Sequence, residues 1–271
     1  MSLASISCPS CGAREVARID GRWACSLCKA DFDPRMLPGA LCAPPGEPIE
    51  TLFLDAGGVL VFPNFEKLSQ ALKAHGVQVS GAQLAAAEPH AKRTLDVAEQ
   101  VKLTNDEQRG WAYFNLVLEH AGVARDARTD AALQELYAYH QLHNFWEWVP
   151  QDVLPALERL RARFARMAVV SNANGSLHLL FERLGLLRFF DVALDSHLEG
   201  VEKPDPRLFE IALARSGGRR ETTLHVGDLY HVDVAGARAA GLRAVLLDAA
   251  GLYPGVDCPR VRSLGELADS L

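Results

Sequence analysis

Asp55 closes the apolar run TLFL, Ser171 closes RMAVV, Lys203 lies in GVEKPDPRLFE, and Asp228 closes TTLHVG with Asp233 five residues on. These are residue types that can handle an anion and a cation together. Asp55 and Asp228 are hard oxygen donors suited to a divalent ion such as magnesium. Ser171 and neighbouring backbone N–H groups can hydrogen-bond phosphate oxygens, and Lys203 can neutralise their charge. A carboxylate placed among such groups can attack phosphorus and form a covalent aspartyl intermediate. Each residue alone has a plainer reading. A strand-end Asp is commonly a turn or cap, Lys203 could pair at the surface, and Asp233 could be a first-turn helix charge.

A second constellation stands at the N-terminus. Cys8 and Cys11 form one C-x2-C pair and Cys25 and Cys28 another, with thirteen residues between them. Two such pairs supply four soft ligands, which suits tetrahedral zinc better than disulfides in a reducing compartment. CPSCG and CSLCK resemble the two knuckles of a zinc ribbon. A segment this short cannot bury a core, so metal would supply its folding energy. Residues 1–46 hold five Lys/Arg and four Asp/Glu. That balance gives no basic stripe for nucleic acid, so a docking or self-association role fits the ribbon better. Cys42 and Cys258 stay without an assigned role.

The elements that must position the first set follow from the apolar pattern. ETLFLD, RMAVVSN, FFDVALDS, TTLHVGD and RAVLLDA are short apolar runs separated by helical stretches. Such an alternation implies a parallel sheet covered on both faces, whose C-terminal strand ends share one edge. The alternation breaks once. FEKLSQALKAHG, GAQLAAAEPHAKRTLDVAEQ, NDEQRGWAYFNLVLEHAG and DAALQELYAYHQLH are helical in period, and no clear strand interrupts them. A helical bundle inserted after the first strand accounts for this, and it can close over the strand ends as a lid. Expected boundaries are a zinc ribbon at 1–37, a Pro-rich linker at 38–48, a core at 49–62 and 149–271, and a cap at 63–148.

All four strand-end motifs, taken in order across 51–241, resemble the haloacid dehalogenase superfamily of phosphatases. The resemblance implies a Rossmann-like α/β core with an inserted helical cap. It makes Asp55 the nucleophile, has Ser171 contact the transferring phosphoryl, and has Lys203 stabilise both. Asp228 would bind magnesium, and Asp233 would ligate it or orient its waters. Asn172, Gly57 and Gly58 would surround the substrate, and the Gly57 carbonyl would be a further metal ligand. The usual motif, Asp-x-Asp-Gly-Thr, reads Asp55-Ala56-Gly57-Gly58-Val59 here. The second aspartate of that motif protonates the leaving group and later activates water, a contribution of about 10²–10⁴ in rate. DAGGVL with VSNAN and EKPDPRLF looks most like a sugar-phosphatase branch similar to the N-terminal half of epoxide hydrolases.

In the cap, EPHAKR reads first as a solvated helix face. It offers His90, Lys92 and Arg93, whose sharper reading is a substrate clamp or surrogate acid, with His90 and Arg93 expected to bind substrate. Trp146 and Trp148, at the return from cap to core, read as hinge packing. The functional expectation is a magnesium-dependent phosphatase acting on a small phosphomonoester. Two alternatives remain open at this point. One is a non-catalytic phosphate-binding or scaffold protein that uses its ribbon to bind a partner. The other is a phosphonate or carbon–halogen hydrolase of the same superfamily, for which position 57 lacks an aromatic and no cap lysine is assignable as a Schiff-base former. The 271 residues carry a net charge of −6, which disfavours a general polyanion-binding surface. No apolar run approaches membrane-spanning length and no secretory signal is visible, so the expected location is cytoplasmic.

Overall fold

The computed structural model describes residues 16–19, 22–25, 31–32, 48–97, 101 and 103–271. Strands β1 (Val16–Ile19), β2 (Arg22–Cys25) and β3 (Asp31–Phe32) pair antiparallel in that order. Cys25 is the last residue of β2. Cys8, Cys11, Cys28, Cys42 and most of the Pro-rich linker lie outside the described residues, and with them the expected zinc site.

The main sheet contains β4 (Thr51–Leu54), β5 (Arg166–Ser171), β6 (Val192–Asp195), β7 (Thr223–Gly227), β8 (Arg243–Leu247) and β9 (Arg260–Val261). All neighbours are parallel, in the spatial order β6-β5-β4-β7-β8-β9. The five apolar runs expected as strands are β4 to β8. The short edge strand β9 is not foreseen, because two residues carry no periodic signal.

Period-two alternation fills both faces of this sheet. Leu52, Leu54, Met167, Val169, Leu224 and Val226 pack on one side with helices α5 (Val153–Arg163), α6 (Leu177–Arg183) and α10 (Leu264–Ser270). Phe53, Ala168, Val170, Leu194 and Leu246 pack on the other, against α8 (Pro206–Ser216), which follows the single turn α7 (Ser196–Glu199), and α9 (Ala235–Ala239). Cys258 is buried in this second layer, and burial pushes its thiol up to about 12. It has no place in the site described below.

Between β4 and α5 the described residues include four helices with a core of their own: α1 (Phe65–Ala74), α2 (Gly81–Leu95), α3 (Asp106–His120) and α4 (Ala127–His143). Leu68, Leu72, Leu84, Leu118, Leu133 and Phe145 fill it. Their starts are written locally. Asn64 caps α1, a Ser80–Gln83 capping box opens α2, and Asp126 caps α4. The two chain segments joining helices to sheet are tied to each other. Phe62 N donates to Trp148 O at 2.8 Å and Trp148 N donates to Phe62 O at 3.1 Å. The rings of Phe62 and Trp148 meet edge-on at 5.9 Å, so Trp148 does serve as packing at the return. No helix among the described residues is long and apolar enough to cross a membrane.

Candidate active site

The chain runs outward from β4 through β5 to β6, then returns to lay β7, β8 and β9 on β4's other flank. Such a reversal opens a crevice beyond the strand ends. The three central strands deliver one functional group each there: Ser171 ends β5, Asp55 follows β4 and Asp228 follows β7. Asp55 N still donates to Val226 O at 2.9 Å, so the nucleophile candidate is fixed by the ladder itself.

Lys203 sits at the centre of the core side. Its Nζ lies 2.8 Å from Asp55 Oδ1 and 2.7 Å from Asp233 Oδ1, at 1% side-chain exposure. Its backbone is clamped by Asn172, whose Oδ1 accepts from Lys203 N at 2.7 Å and whose Nδ2 donates to Lys203 O at 3.0 Å. Asp233 is fully occupied. Its Oδ1 also faces His225 Nε2 at 3.0 Å, and its Oδ2 accepts from Leu229 N at 3.1 Å. A π-helical turn, Tyr230–Val234, brings this carboxylate back under the strand end. Gly227 is needed there, because a Cβ would collide with the Asp233 side chain.

The cap completes the other side. Lys92 Nζ lies 2.7 Å from Asp228 Oδ2 and 2.6 Å from Glu88 Oε1 on the same helix. Tyr113 OH donates to Glu88 Oε1 at 3.1 Å. Asp96, at the end of α2, accepts from Tyr230 N, His231 N and Tyr253 OH at 2.6, 2.9 and 2.7 Å. Arg109 reaches Glu202 at 3.2 Å. Gly58, at φ +78°, allows this closeness, since a Cβ would strike Asp228 Oδ2 and crowd Lys92 Nζ.

The electrostatics follow from burial. Burial raises the Asp55 carboxyl to about 7, with Lys203 opposing and Asp233 and Asp228 adding to the rise. Burial likewise raises Asp228 to about 6, against Lys92. Burial would also raise Asp233, but Lys203 and His225 outweigh it and hold that carboxyl well below its ordinary range. Burial lowers the His225 imidazole, with the Asp233 carboxylate 3.0 Å from its Nε2 opposing the shift. Asp55, Asp228 and Asp233 bring ligand atoms within 4.8 Å of one another. The cluster holds four carboxylates (Asp55, Glu88, Asp228, Asp233) against the two ammonium groups of Lys92 and Lys203. That excess of negative charge, on hard oxygen donors, fits one divalent cation such as magnesium.

The model of the haloacid dehalogenase-like hydrolases matches residues 49–241. The chain belongs to this family of hydrolases. The hydrolase is 34% identical over 142 residues to the human haloacid dehalogenase-like hydrolase domain-containing protein 3, covering 51% of this chain and 56% of that one. It is 37% identical over 141 residues to the ribulose-1,5-bisphosphate 5-phosphatase of Halopiger xanaduensis, covering 51% and 57%. Over 96 residues it is 44% identical to the phosphoserine phosphatase of Thermus thermophilus, covering 34% and 38%. The chain thus spans about half the length of the curated relatives it matches. Among solved structures, the magnesium-bound HAD-hydrolase YfnB of Bacillus subtilis superposes with TM-score 0.61 at 18% identity, covering 82% of this chain and 98% of that one. This likeness establishes the fold.

The hydrolase brings together Asp55, Gly57, Gly58, Ser171, Asn172, Lys203 and Asp228 around one cavity, with Asp233 directly behind. Two expected residues do not join them. His90 is exposed, its ring against His120 at 5.7 Å. Arg93 is exposed as well, reaching Leu252 O and lying over the Tyr253 ring. The reason is helical phase: Glu88 and Lys92, four residues apart, share the inward face of α2, and His90 and Arg93 are rotated off it. Of the three residues offered by EPHAKR, Lys92 is the one that reaches the site. Glu88, Tyr113, Asp96 and Trp146 were not anticipated at the site. The i, i+4 spacing of Glu88 and Lys92 is the signal that could have found that pair.

Proposed function

We propose that this chain is a magnesium-dependent phosphatase that acts on a small phosphomonoester through an aspartyl phosphate on Asp55. One observation carries the reading. Asp55 Oδ1 is held by Lys203 and by Ala56 N at 2.7 Å, which leaves Oδ2 without a hydrogen-bond partner among the described residues. A carboxylate pinned by one oxygen and free at the other is a preorganised nucleophile. Oδ2 attacks phosphorus, the bond to the ester oxygen breaks, and its electron pair departs on that oxygen. Water then attacks the aspartyl phosphate, releasing inorganic phosphate and restoring Asp55. Ser171 and Lys203 bind the phosphoryl oxygens.

Asp55, Asp228 and the Gly57 carbonyl would hold magnesium, which would supply charge neutralisation for the phosphoryl group. Both Asp233 oxygens are engaged, so that residue steers Lys203 and any metal-bound water. Phosphatases named among the relatives support a phosphorylated substrate. The cap lysine bears on the phosphonate alternative. Burial works to lower the pKa of Lys92, but Asp228 and Glu88 outweigh it and hold the ammonium above the ordinary lysine range. A permanently protonated amine is a poor imine former, so Lys92 argues against Schiff-base chemistry.

The test is phosphate release with magnesium over sugar phosphates, nucleotides and small phosphoesters. Wild type is expected to turn over at least one class, to leave acid-stable label on the protein after quenching, and to lose both in Asp55→Asn. No release and no labelling from any class would instead favour a non-catalytic phosphate-binding scaffold. We further propose that Cys8, Cys11, Cys25 and Cys28 hold one structural zinc in a ribbon that docks a protein partner or a second copy. The cysteine spacing supports this. Metal analysis of protein purified without chelator should give about one zinc per chain; freely titratable thiols and no zinc would refute it.

A further inference from the structure

Position 57 carries no side chain, yet the space beside it is not empty. Among the described residues beyond its chain neighbours, a Cβ on Gly57 would meet Trp146, at 3.4 Å from Nε1 and 3.6 Å from Cδ1. The backbone of Gly57 is outside the left-handed region, so nothing in its conformation demands glycine. What stands over it is the N–H edge of an indole delivered from the end of the cap. The ring is held there by Tyr113, Phe114, His140 and Phe145, at centroid distances of 5.8, 5.5, 5.8 and 6.4 Å.

Trp146 also divides two cavities. It lines the strand-end cavity with Asp55, Ser171, Lys203 and Asp228. It lines equally a second cavity of about 610 Å³ walled by Phe114, Tyr137, His140 and Asn174. The loop after β5 runs from one to the other, with Ser171 and Asn172 in the first and Ala173 and Asn174 in the second. The two cavities thus adjoin at Trp146, and Phe114, Tyr137 and Phe145 stand among the walls of the second, so the body of a leaving group reaching past Trp146 would meet aromatic side chains there.

Other donors near Gly57 are committed. Lys92 serves Asp228 and Glu88, Tyr113 OH serves Glu88, and both amide ends of Asn172 serve Lys203. His140 has Nδ1 on Phe145 N and Nε2 on Asn174. The Trp146 Nε1–H has no acceptor among the described residues.

We propose that Trp146 is a catalytic residue of this phosphatase, donating a hydrogen bond from Nε1 to the departing ester oxygen in place of the side chain missing at position 57, and that the adjoining cavity takes an aryl or similarly acidic leaving group. The inference rests on the phosphatase reading of the site. An indole N–H stabilises negative charge without surrendering its proton. The phosphorus–oxygen bond breaks with its electron pair on oxygen, the oxyanion leaves hydrogen-bonded to Nε1, and it takes its proton from water afterwards. That chemistry suits phenol-like leaving groups and fails progressively for simple alcohols.

Trp146→Phe removes the donor and keeps a ring in the packing. The measurement is kcat/KM over a series of aryl phosphates of rising leaving-group pKa, continued into alkyl phosphates, together with affinity for orthovanadate, which has no leaving group. The expected loss is under about 3-fold for the most acidic phenol and about 10- to 100-fold for the most basic, because the bond to oxygen strengthens as more charge develops there. Orthovanadate affinity and the rate of phosphoenzyme hydrolysis are expected to be unchanged. Adding Gly57→Asp to Trp146→Phe should recover activity on the basic leaving groups by restoring an acid. An equal loss on every ester, weaker orthovanadate binding, or no loss at all would overturn the role of Trp146 while leaving the phosphatase reading intact. A wild type inactive on the entire series would overturn that reading and this inference with it.

Discussion

Two lysines occupy matching places on opposite sides of the crevice. Lys203, from the core, bridges Asp55 and Asp233 at 1% exposure. Lys92, from the cap, bridges Asp228 and Glu88 at 16% exposure. In the core triad Asp55 is fixed by the ladder of the sheet, and Lys203 and Asp233 reach it from the turns beyond β6 and β7. The cap triad spans two bodies of the molecule and persists only while the cap is closed. The first is therefore a fixed frame for the proposed nucleophile. The second ties helix α2 to the sheet and places positive charge beside Asp228, the proposed metal ligand.

Breaking the core triad should have the largest effect. Lys203→Met leaves Asp55 and Asp233 buried without their cation, so it should cost about 3–5 kcal/mol of stability and about 10³-fold or more in turnover. Chemical denaturation and phosphate release measure the two, and a folded, active Lys203→Met would show that the triad is not a frame. Within the motif after β7, Asp228→Asn should weaken magnesium binding more than Asp233→Asn, because both Asp233 oxygens are already taken. Asp233→Asn should be the more destabilising of the two. Calorimetric titration with magnesium checks the first ordering and thermal melts the second.

Lys92→Met should separate the two sides of the crevice most sharply. Removing a cation that shares Asp228 should tighten magnesium binding by about 10-fold, since a one-unit shift in the carboxylate's proton affinity is a tenfold effect. The same variant should retain the fold, because α2 stays anchored through Asp96. Weaker magnesium binding in Lys92→Met would refute the competition.

The smallest effect concerns pH. Asp55 and Asp228 are raised to about 7 and about 6 from an ordinary 3.8. Carboxyls raised in the folded state contribute stability that is complete below about pH 4 and is lost as pH climbs through 6 to 7. The proposed magnesium would bind only the deprotonated pair. Its stabilisation of the fold, read as the difference in Tm with and without magnesium at the same pH, should be larger at pH 8 than at pH 5.5. Asp228→Asn should remove most of that difference. An equal shift at both values would mean that magnesium binds elsewhere.

The sequence alone carried the core side. Apolar runs of Val and Leu mark β4 to β8, and a parallel sheet puts every strand's C-terminus on one edge. Asp55, Ser171 and Asp228 could be gathered from their positions at those ends, whereas Lys203 and Asp233 lie on the turns beyond β6 and β7 and are brought back to Asp55 by the fold. The cap side was legible only as helices. Periodicity shows which residues of a helix share a face, yet it does not say which partner that face meets or how the helix is rotated over the crevice. That rotation turned Glu88 and Lys92 inward and His90 and Arg93 to solvent. Nor could the glycine at 57 announce what would stand beside it. The indole of Trp146 arrives from 89 residues further along the chain, and only the packing of the helices on the sheet sets its Nε1 3.4 Å from where a Cβ at position 57 would stand.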